Sequence, residues 1–278
     1  MIIDENYKLN NGYEIPKIAF GTWQIDNESV THAVKSALSL GYRHIDTAAA
    51  YENETGVGRA IAQSGLPRND VFITTKISAE IKSYADAKEV INNSLKNLNT
   101  AYIDLMLIHA PKPWEELFGG SVKNYFEENL SVWQAMEEGV DEGQIRSIGV
   151  SNFEIADMRN IIDNAKIKPA ANQIRVHIGH TPTDVISFCK AEDITVMAFS
   201  PNATGKLLEH PVVTEIARKY NVSAAQLSVR YDYQLGLLPL PRSTNPTHIA
   251  ENRNIDFVIS TDDMKRLSFV EEIQSLDM

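Results

Sequence analysis

Short β-rich runs and amphipathic stretches alternate almost to the end of this chain. Apolar runs at residues 17–22, 42–47, 71–77, 103–109, 145–151, 170–176, 195–201 and 237–242 have the length and the branched or aromatic content of strands. Between them lie helical spacings. In residues 27–41, Val30, Ala33, Val34, Ala37 and Leu38 share one face, and residues 86–99 and 211–220 repeat the theme. Ahead of the first run, "YKLNNGYEI" carries an Asn11-Gly12 pair suited to a tight hairpin turn. Eight strands, each followed by a helix and apolar enough to need cover on both faces, predict a (β/α)8 TIM barrel with an N-terminal β-hairpin. A doubly wound open sheet is the alternative, but its phosphate-binding signatures are missing. "GVGRAI" fails the G-x-G-x-x-G spacing, and Lys206 in "SPNATGKL" lacks the first glycine of a P-loop.

No linker-like stretch divides the chain, so residues 1–278 are read as one barrel domain. One long irregular segment follows the fourth strand; its aromatic content argues against a spacer, and residues 113–125 are expected to form a loop covering the substrate. Residues 258–278 are expected to be a short C-terminal tail. Of 278 residues, 43% are hydrophobic, enough for a large core, and the 23% that are charged make an ordinary surface. The net charge of −11 repels polyanions and weighs against nucleic acid as a partner. A single cysteine, Cys189, allows no internal disulfide and reads as a buried thiol in a helix. The acidic, polar N-terminus does not look like a signal peptide, and no apolar run approaches a membrane span. The expectation is a cytoplasmic monomer or weak oligomer with no membrane partner.

In such a barrel the last residue of each strand points into the mouth. The strand ends supply Asp46 with Tyr51 in its loop, Lys76, His109, Ser151 with Asn152, Asn172 with Gln173, Phe199 with Ser200, and Arg242 with Ser243. Four of these suit one task. Tyrosine, with a pKa of about 10, is a poor acid at neutral pH, and a nearby ammonium lowers that value. Lys76 supplies such a charge, Asp46 can orient it, and His109 can hold a carbonyl oxygen beside the Tyr51 hydroxyl. Together they would protonate an oxygen on which negative charge is building.

With these residues in view, "GYRHIDTAAAYENETGVGRAI", "ITTKI", "LMLIH", "IGVSNF", "NQ", "FSP" and "PRSTNPTHIAEN", in that order, resemble the aldo-keto reductases, and most nearly bacterial members similar to 2,5-diketo-gluconate reductases. The resemblance runs from the hairpin to about Phe257. It implies a metal-free barrel that transfers hydride between NAD(P)H and a small carbonyl substrate. It also implies Tyr51 as general acid, Lys76 and Asp46 as its tuning pair, and His109 as the orienting group. Ser151, Asn152 and Gln173 would hold the nicotinamide carboxamide. Phe199 would stack on the ring, in place of the more usual tyrosine. Ser200, Arg242, Ser243, His248, Glu251 and Asn252 complete the implied cofactor contacts, the last two resembling adenine contacts.

The chain departs from the family pattern at several positions. Where relatives commonly carry Lys and Arg on the cofactor's 2′-phosphate, it has Arg242 and His248. A histidine is mostly neutral near pH 7.5, so NADPH is expected to be preferred by a smaller margin than usual, with NADH also accepted. Ala110 follows His109 where many relatives place tryptophan, which opens the substrate pocket; Trp23 and Trp114, with Phe118, are the candidates to line it. Arg175 and Val176 replace the usual Glu-Tyr pair. The short C-terminal end suggests an open pocket for aldehydes, compact ketones or keto-sugars.

Other polar residues have plainer readings. Glu52, Asn53 and Glu54 are expected to cap the next helix, and His177 and His180 to be packing or surface residues, since a third metal ligand is missing. His44, two residues before Asp46, is read as a satisfied core histidine facing the helices. Two functions compete with carbonyl reduction: a Schiff-base aldolase using Lys76, and a non-catalytic nicotinamide-sensing subunit on the same fold.

Overall fold

The structure, a computed structural model, describes residues 1–271; of the expected tail at 258–278, residues 272–278 lie outside the described residues. The chain opens with the hairpin β1 (Asn6–Lys8) and β2 (Glu14–Pro16), paired antiparallel around a turn in which Gly12 takes φ 92°. Eight parallel strands follow: β3 (Phe20–Gly21), β4 (His44–Asp46), β5 (Phe72–Ile77), β6 (Ile103–Ile108), β7 (Ile145–Ser151), β8 (Ala171–Arg175), β9 (Thr195–Phe199) and β10 (Leu238–Leu240). Each pairs with the next, and backbone bonds from Ala19 N to Pro239 O (3.1 Å) and Gly21 N to Pro241 O (3.0 Å) join the first to the last. The result is the expected (β/α)8 barrel preceded by a β-hairpin.

Helices α1 (Ser29–Ser39), α2 (Glu54–Ala62), α3 (Tyr84–Asn97), α4 (Trp114–Phe118), α5 (Phe126–Asp141) and α6 (Ile155–Asn164) accompany the first five barrel strands. α7 (Thr183–Ala191), α8 (Pro211–Lys219), α9 (Ala224–Gln234), α10 (Pro246–Arg253) and α11 (Thr261–Ser268) accompany the rest. The segment read as a covering loop contains α4, and the described part of the tail contains α11. Among the described residues no helix is long and apolar enough to cross a membrane.

Period-two alternation sorts the strand side chains into two cores. Ile45, Ile73, Ile77, Met106, Ile108, Ile148, Val150 and Val196 face outward into a layer shared with the helices. Phe72, Leu105, Leu107, Ala171, Met197, Leu238 and Leu240 fill the barrel interior. The interior is tight: a Cβ on Gly149 would lie 2.6 Å from the Ala171 carbonyl oxygen and 2.8 Å from Leu107. The inward set continues upward into polar residues, so the same alternation that builds the core delivers chemistry to the C-terminal rim.

His44 corrects one expectation. It is a core histidine, but a two-residue step returns a side chain to the same face of a strand, so it lies on the inner side below Asp46. Its Nε2 meets Thr74 Oγ1 at 2.8 Å and its ring packs edge-on against Phe72. Burial pushes its imidazole down to about 3, so it is neutral.

Asp232 on α9 is fully buried, and neither carboxylate oxygen has a hydrogen-bond partner among the described residues. Burial holds this carboxyl well above the usual range. The folded state therefore keeps a proton that the unfolded chain releases above about pH 4, so stability falls as pH rises from there toward the raised value. Asp232→Asn, which cannot ionise, is expected to melt at a higher temperature than wild type at pH 7.5, with the gap closing as pH falls to 4. Thermal unfolding followed by circular dichroism across that range checks this; parallel curves would contradict it.

Candidate active site

Four side chains meet inside the C-terminal rim. Lys76 ends an inward-facing series on β5 and is completely buried. An ammonium in such a place must use its protons. Its Nζ donates to Asp46 Oδ1 (2.7 Å), to the Thr47 carbonyl oxygen (2.9 Å) and to Tyr51 Oη (3.4 Å). Burial is the largest single influence and pulls this amine down, but the Asp46 carboxylate and the Tyr51 oxygen together outweigh it and keep the amine above its usual value. Lys76 is thus a fixed cation.

Tyr51 closes a 3-10 turn, Ala49–Tyr51, directly after β4. The next residue, Glu52, adopts φ 55° and turns the chain into α2. Burial pushes the phenol above its ordinary value, and the Asp46 charge adds to this; Lys76 opposes both. The downward pull expected from the ammonium exists, then, but burial is larger. The phenol keeps its proton at neutral pH. Because Lys76 donates to the oxygen, the phenol's own hydrogen is left to point elsewhere.

His109, just beyond β6, lies edge-on to Tyr51 with ring centroids 5.6 Å apart, and edge-on to Trp114 at 5.1 Å. Burial and the Lys76 charge hold its imidazole well below the usual value, so it is neutral and carries a single N–H. Trp114 stacks on Phe118 at 5.5 Å, which continues the row of rings from the phenol toward solvent.

The expected cofactor residues divide into two groups. Close to the tetrad, Ser151 Oγ donates to the Gln173 carbonyl oxygen (2.9 Å), and Asn152 Nδ2 donates to the His109 carbonyl oxygen (3.0 Å). Gln173 Nε2 donates to Asp46 Oδ2 (2.7 Å), a contact across 127 residues that sequence spacing could not reveal. At the other end, Arg242 Nη2 reaches Gln24 Oε1 (3.3 Å), and Ser243 Oγ accepts from the Asn245 backbone at the start of α10.

Both groups line one cavity of about 1270 Å³, together with Tyr51, Phe199, Ser200, His248, Glu251 and Asn252. Asn252 is buried and its Oδ1 has no partner among the described residues, an acceptor facing a space that a ligand could fill. The cavity suits a long molecule with an anionic group near Arg242, a hydrogen-bond donor near Asn252 and a reactive end at Tyr51.

Trp23, Trp114, Leu117, Phe118 and Leu208 form apolar parts of the wall. Ala110 does not join them: it is fully buried, and its carbonyl oxygen accepts from Lys82 Nζ (3.0 Å). Asn172 also departs from the reading of strand ends. Its amide donates outward to the Phe153 carbonyl oxygen (3.0 Å), because its neighbour Gln173 takes the inward position. Arg175, two residues beyond Gln173, returns to the inner side and lines the cavity, whereas Val176 is buried. Period two would have found Arg175.

Asn53 stands at the N-cap position of α2 and Glu54 in its first turn, as the helix-capping reading placed them, but their side chains bond elsewhere. Asn53 makes no side-chain cap; its amide donates to the Thr22 (3.0 Å) and Ile25 (2.8 Å) carbonyl oxygens and accepts from Thr47 Oγ1 (2.6 Å). Glu54 is buried and accepts from Thr75 Oγ1 (2.7 Å). These bonds clamp the loop that carries Tyr51. His177 and His180 pair through their backbones, and no group of three or more His, Cys, Asp or Glu among the described residues could hold a metal ion.

The model of the Aldo/keto reductase family matches residues 17–272. The chain belongs to that family. Glyoxal reductase of Bacillus subtilis (strain 168) is 38% identical over 267 residues, covering 95% of this chain and 92% of that protein. The crystal structure of an aldo/keto reductase from Brucella melitensis is 39% identical with a TM-score of 0.86, covering 95% and 98% of the two chains. A Bombyx mori aldo-keto reductase, solved in complex with NADP, is 33% identical with a TM-score of 0.85, covering 95% and 92%. Family membership makes the chain an oxidoreductase that acts on carbonyl groups.

Removing one partner of a buried ion pair strands the other charge. Lys76→Met is expected to lower the unfolding free energy by about 3 kcal/mol, and adding Asp46→Leu to restore part of that loss. Urea unfolding followed by tryptophan fluorescence measures both; an unchanged midpoint in the single variant would contradict a buried pair.

Proposed function

We propose that the protein reduces aldehydes, compact ketones or keto-sugars to alcohols with NADPH, and that Tyr51 is the general acid. The observation that carries this reading is the Lys76 ammonium donating to the Tyr51 oxygen at 3.4 Å at one end of the long cavity. NADPH, when bound, supplies a hydride to the carbonyl carbon; the residues of this chain must then manage the oxygen.

A neutral His109 can donate its N–H to that oxygen and hold it near the phenol. Tyr51 retains its proton until charge develops on the substrate oxygen, then transfers it. The resulting phenolate sits beside a fixed cation, which lowers the cost of the transfer. Asp46 keeps Lys76 charged and in place.

The cavity also fits the dinucleotide. The Arg242 guanidinium offers a planar fork to a phosphate, with His248 in support, and the Asn252 Oδ1, without a partner among the described residues, can accept from an exocyclic amine. Phe199 offers a ring face to the nicotinamide, while Ser151, Asn152 and Gln173 present polar groups to its carboxamide. The aromatic row from His109 to Phe118 provides an apolar path for a small carbonyl compound.

A Schiff-base mechanism needs a neutral, accessible amine. Lys76 is fully buried and held charged, so the geometry favours the reductase. A sensing subunit would tolerate loss of the phenol; a reductase would not. Tyr51→Phe is expected to lower kcat/KM for carbonyl reduction by at least about a hundredfold while NADPH still quenches protein fluorescence as in wild type. Undiminished turnover would remove Tyr51 from the acid role, and wild-type protein inert toward a panel of aldehydes, ketones and keto-sugars would point to sensing. Steady-state kinetics with both cofactors are expected to show NADPH preferred by less than about a thousandfold, or about 4 kcal/mol, with His248→Arg widening the margin. A larger preference in the wild type would overturn the histidine argument.

A further inference from the structure

We propose that Gln173 is a positioning residue for the proton transfer, in addition to any contact with a bound nicotinamide. The inference rests on the proposed acid role of Tyr51. Asp46 is buried and has two oxygens to satisfy. Lys76 takes Oδ1 at 2.7 Å, and the Gln173 amide takes Oδ2 at 2.7 Å. The carboxylate is therefore shared between a cation and a neutral donor that approach from different strands, β5 and β8.

This sharing bears on the phenol. A carboxylate released from Gln173 is free to turn both oxygens onto Lys76, since a bidentate arrangement satisfies its lone pairs in a dry site. The ammonium would then be drawn toward Asp46 and away from Tyr51 Oη, which it reaches at only 3.4 Å. Asp46 would also carry more uncompensated charge toward the ring. Both effects strengthen the phenol's hold on its proton. The charged or titratable groups facing the phenol among the described residues are Asp46 from β4, Lys76 from β5 and His109 beyond β6; the first two are the ones Gln173 governs.

The backbone of Gln173 ties in the remaining member. Its carbonyl oxygen accepts from Ser151 Oγ and from the Asn152 N–H, both at 2.9 Å, and Asn152 in turn donates to the His109 carbonyl oxygen. One residue thus holds the acid relay with its side chain and the histidine support with its main chain. A substitution at Gln173 changes only the first of these, because the carbonyl belongs to the backbone.

Gln173→Met keeps the length of the side chain and removes the donor; Gln173→Asn keeps the amide and withdraws it by one methylene. In alcohol oxidation with saturating NADP the phenol must first lose its proton, so the pH profile reports its ionisation. Both variants are expected to shift the half-maximal pH of kcat upward by about one unit, whatever happens to the absolute rate. A crystal structure of cofactor-free Gln173→Met is expected to show both Asp46 oxygens on Lys76 and a longer Lys76–Tyr51 distance. An unmoved pH profile with weakened NADP binding would confine Gln173 to the cofactor and overturn the proposal, leaving the acid role of Tyr51 intact. Failure of that underlying reading would appear separately, as a Tyr51→Phe variant that turns over normally.

Discussion

A lysine ammonium inside the barrel is the constraint to which the rest of the site answers. Taking that charge out of water is costly, and Lys76 is kept by spending each proton on a defined acceptor: a carboxylate, a carbonyl and a phenol. Three directions are thereby set at once. Asp46 must lie on the neighbouring strand, the chain after it must turn back to present the Thr47 carbonyl, and Tyr51 must close the next turn.

The barrel makes this affordable by layering. Lower in the interior, Phe72, Leu105, Leu107 and Met197 exclude water, so the lysine interacts with its partners in a medium that strengthens them. The same environment keeps His109 neutral and Tyr51 protonated. At the rim the inward positions carry Asp46, Lys76 and Gln173, linked through the Asp46 carboxylate. Burial thus prepares both hydrogen donors in their uncharged forms, while the Lys76 ammonium beside them is paired with the Asp46 carboxylate.

Positioning is as important as charge, because a phenol on a mobile loop would give little. The Asn53 amide spans the Thr22, Ile25 and Thr47 backbone and side-chain groups, and Glu54 anchors the start of α2 to β5. The loop bearing Tyr51 is tied on both sides. On the opposite wall, Ser151, Asn152 and Gln173 tie β7 and β8 to the loop that carries His109. The site is a ring of short tethers between successive strand ends.

Much of this was legible in the residues themselves. Eight apolar runs alternating with helical spacing require covered parallel strands, and that period alone yields the barrel and the polar rim bearing Asp46, Lys76 and His109. What alternation cannot convey is which groups a folded chain brings together across long separations. The Gln173–Asp46 bond joins residues on opposite sides of the barrel, and Asn53 turned from expected cap to tether because its acceptors lie in another loop. Ala110 left the pocket wall, and His44 and Asn172 took the opposite side from the one expected, where the two-residue period was misapplied or a neighbour held the inward place. The balance that leaves Tyr51 protonated was hidden for the same reason: burial is a property of everything packed around a group, and no local stretch of sequence contains it.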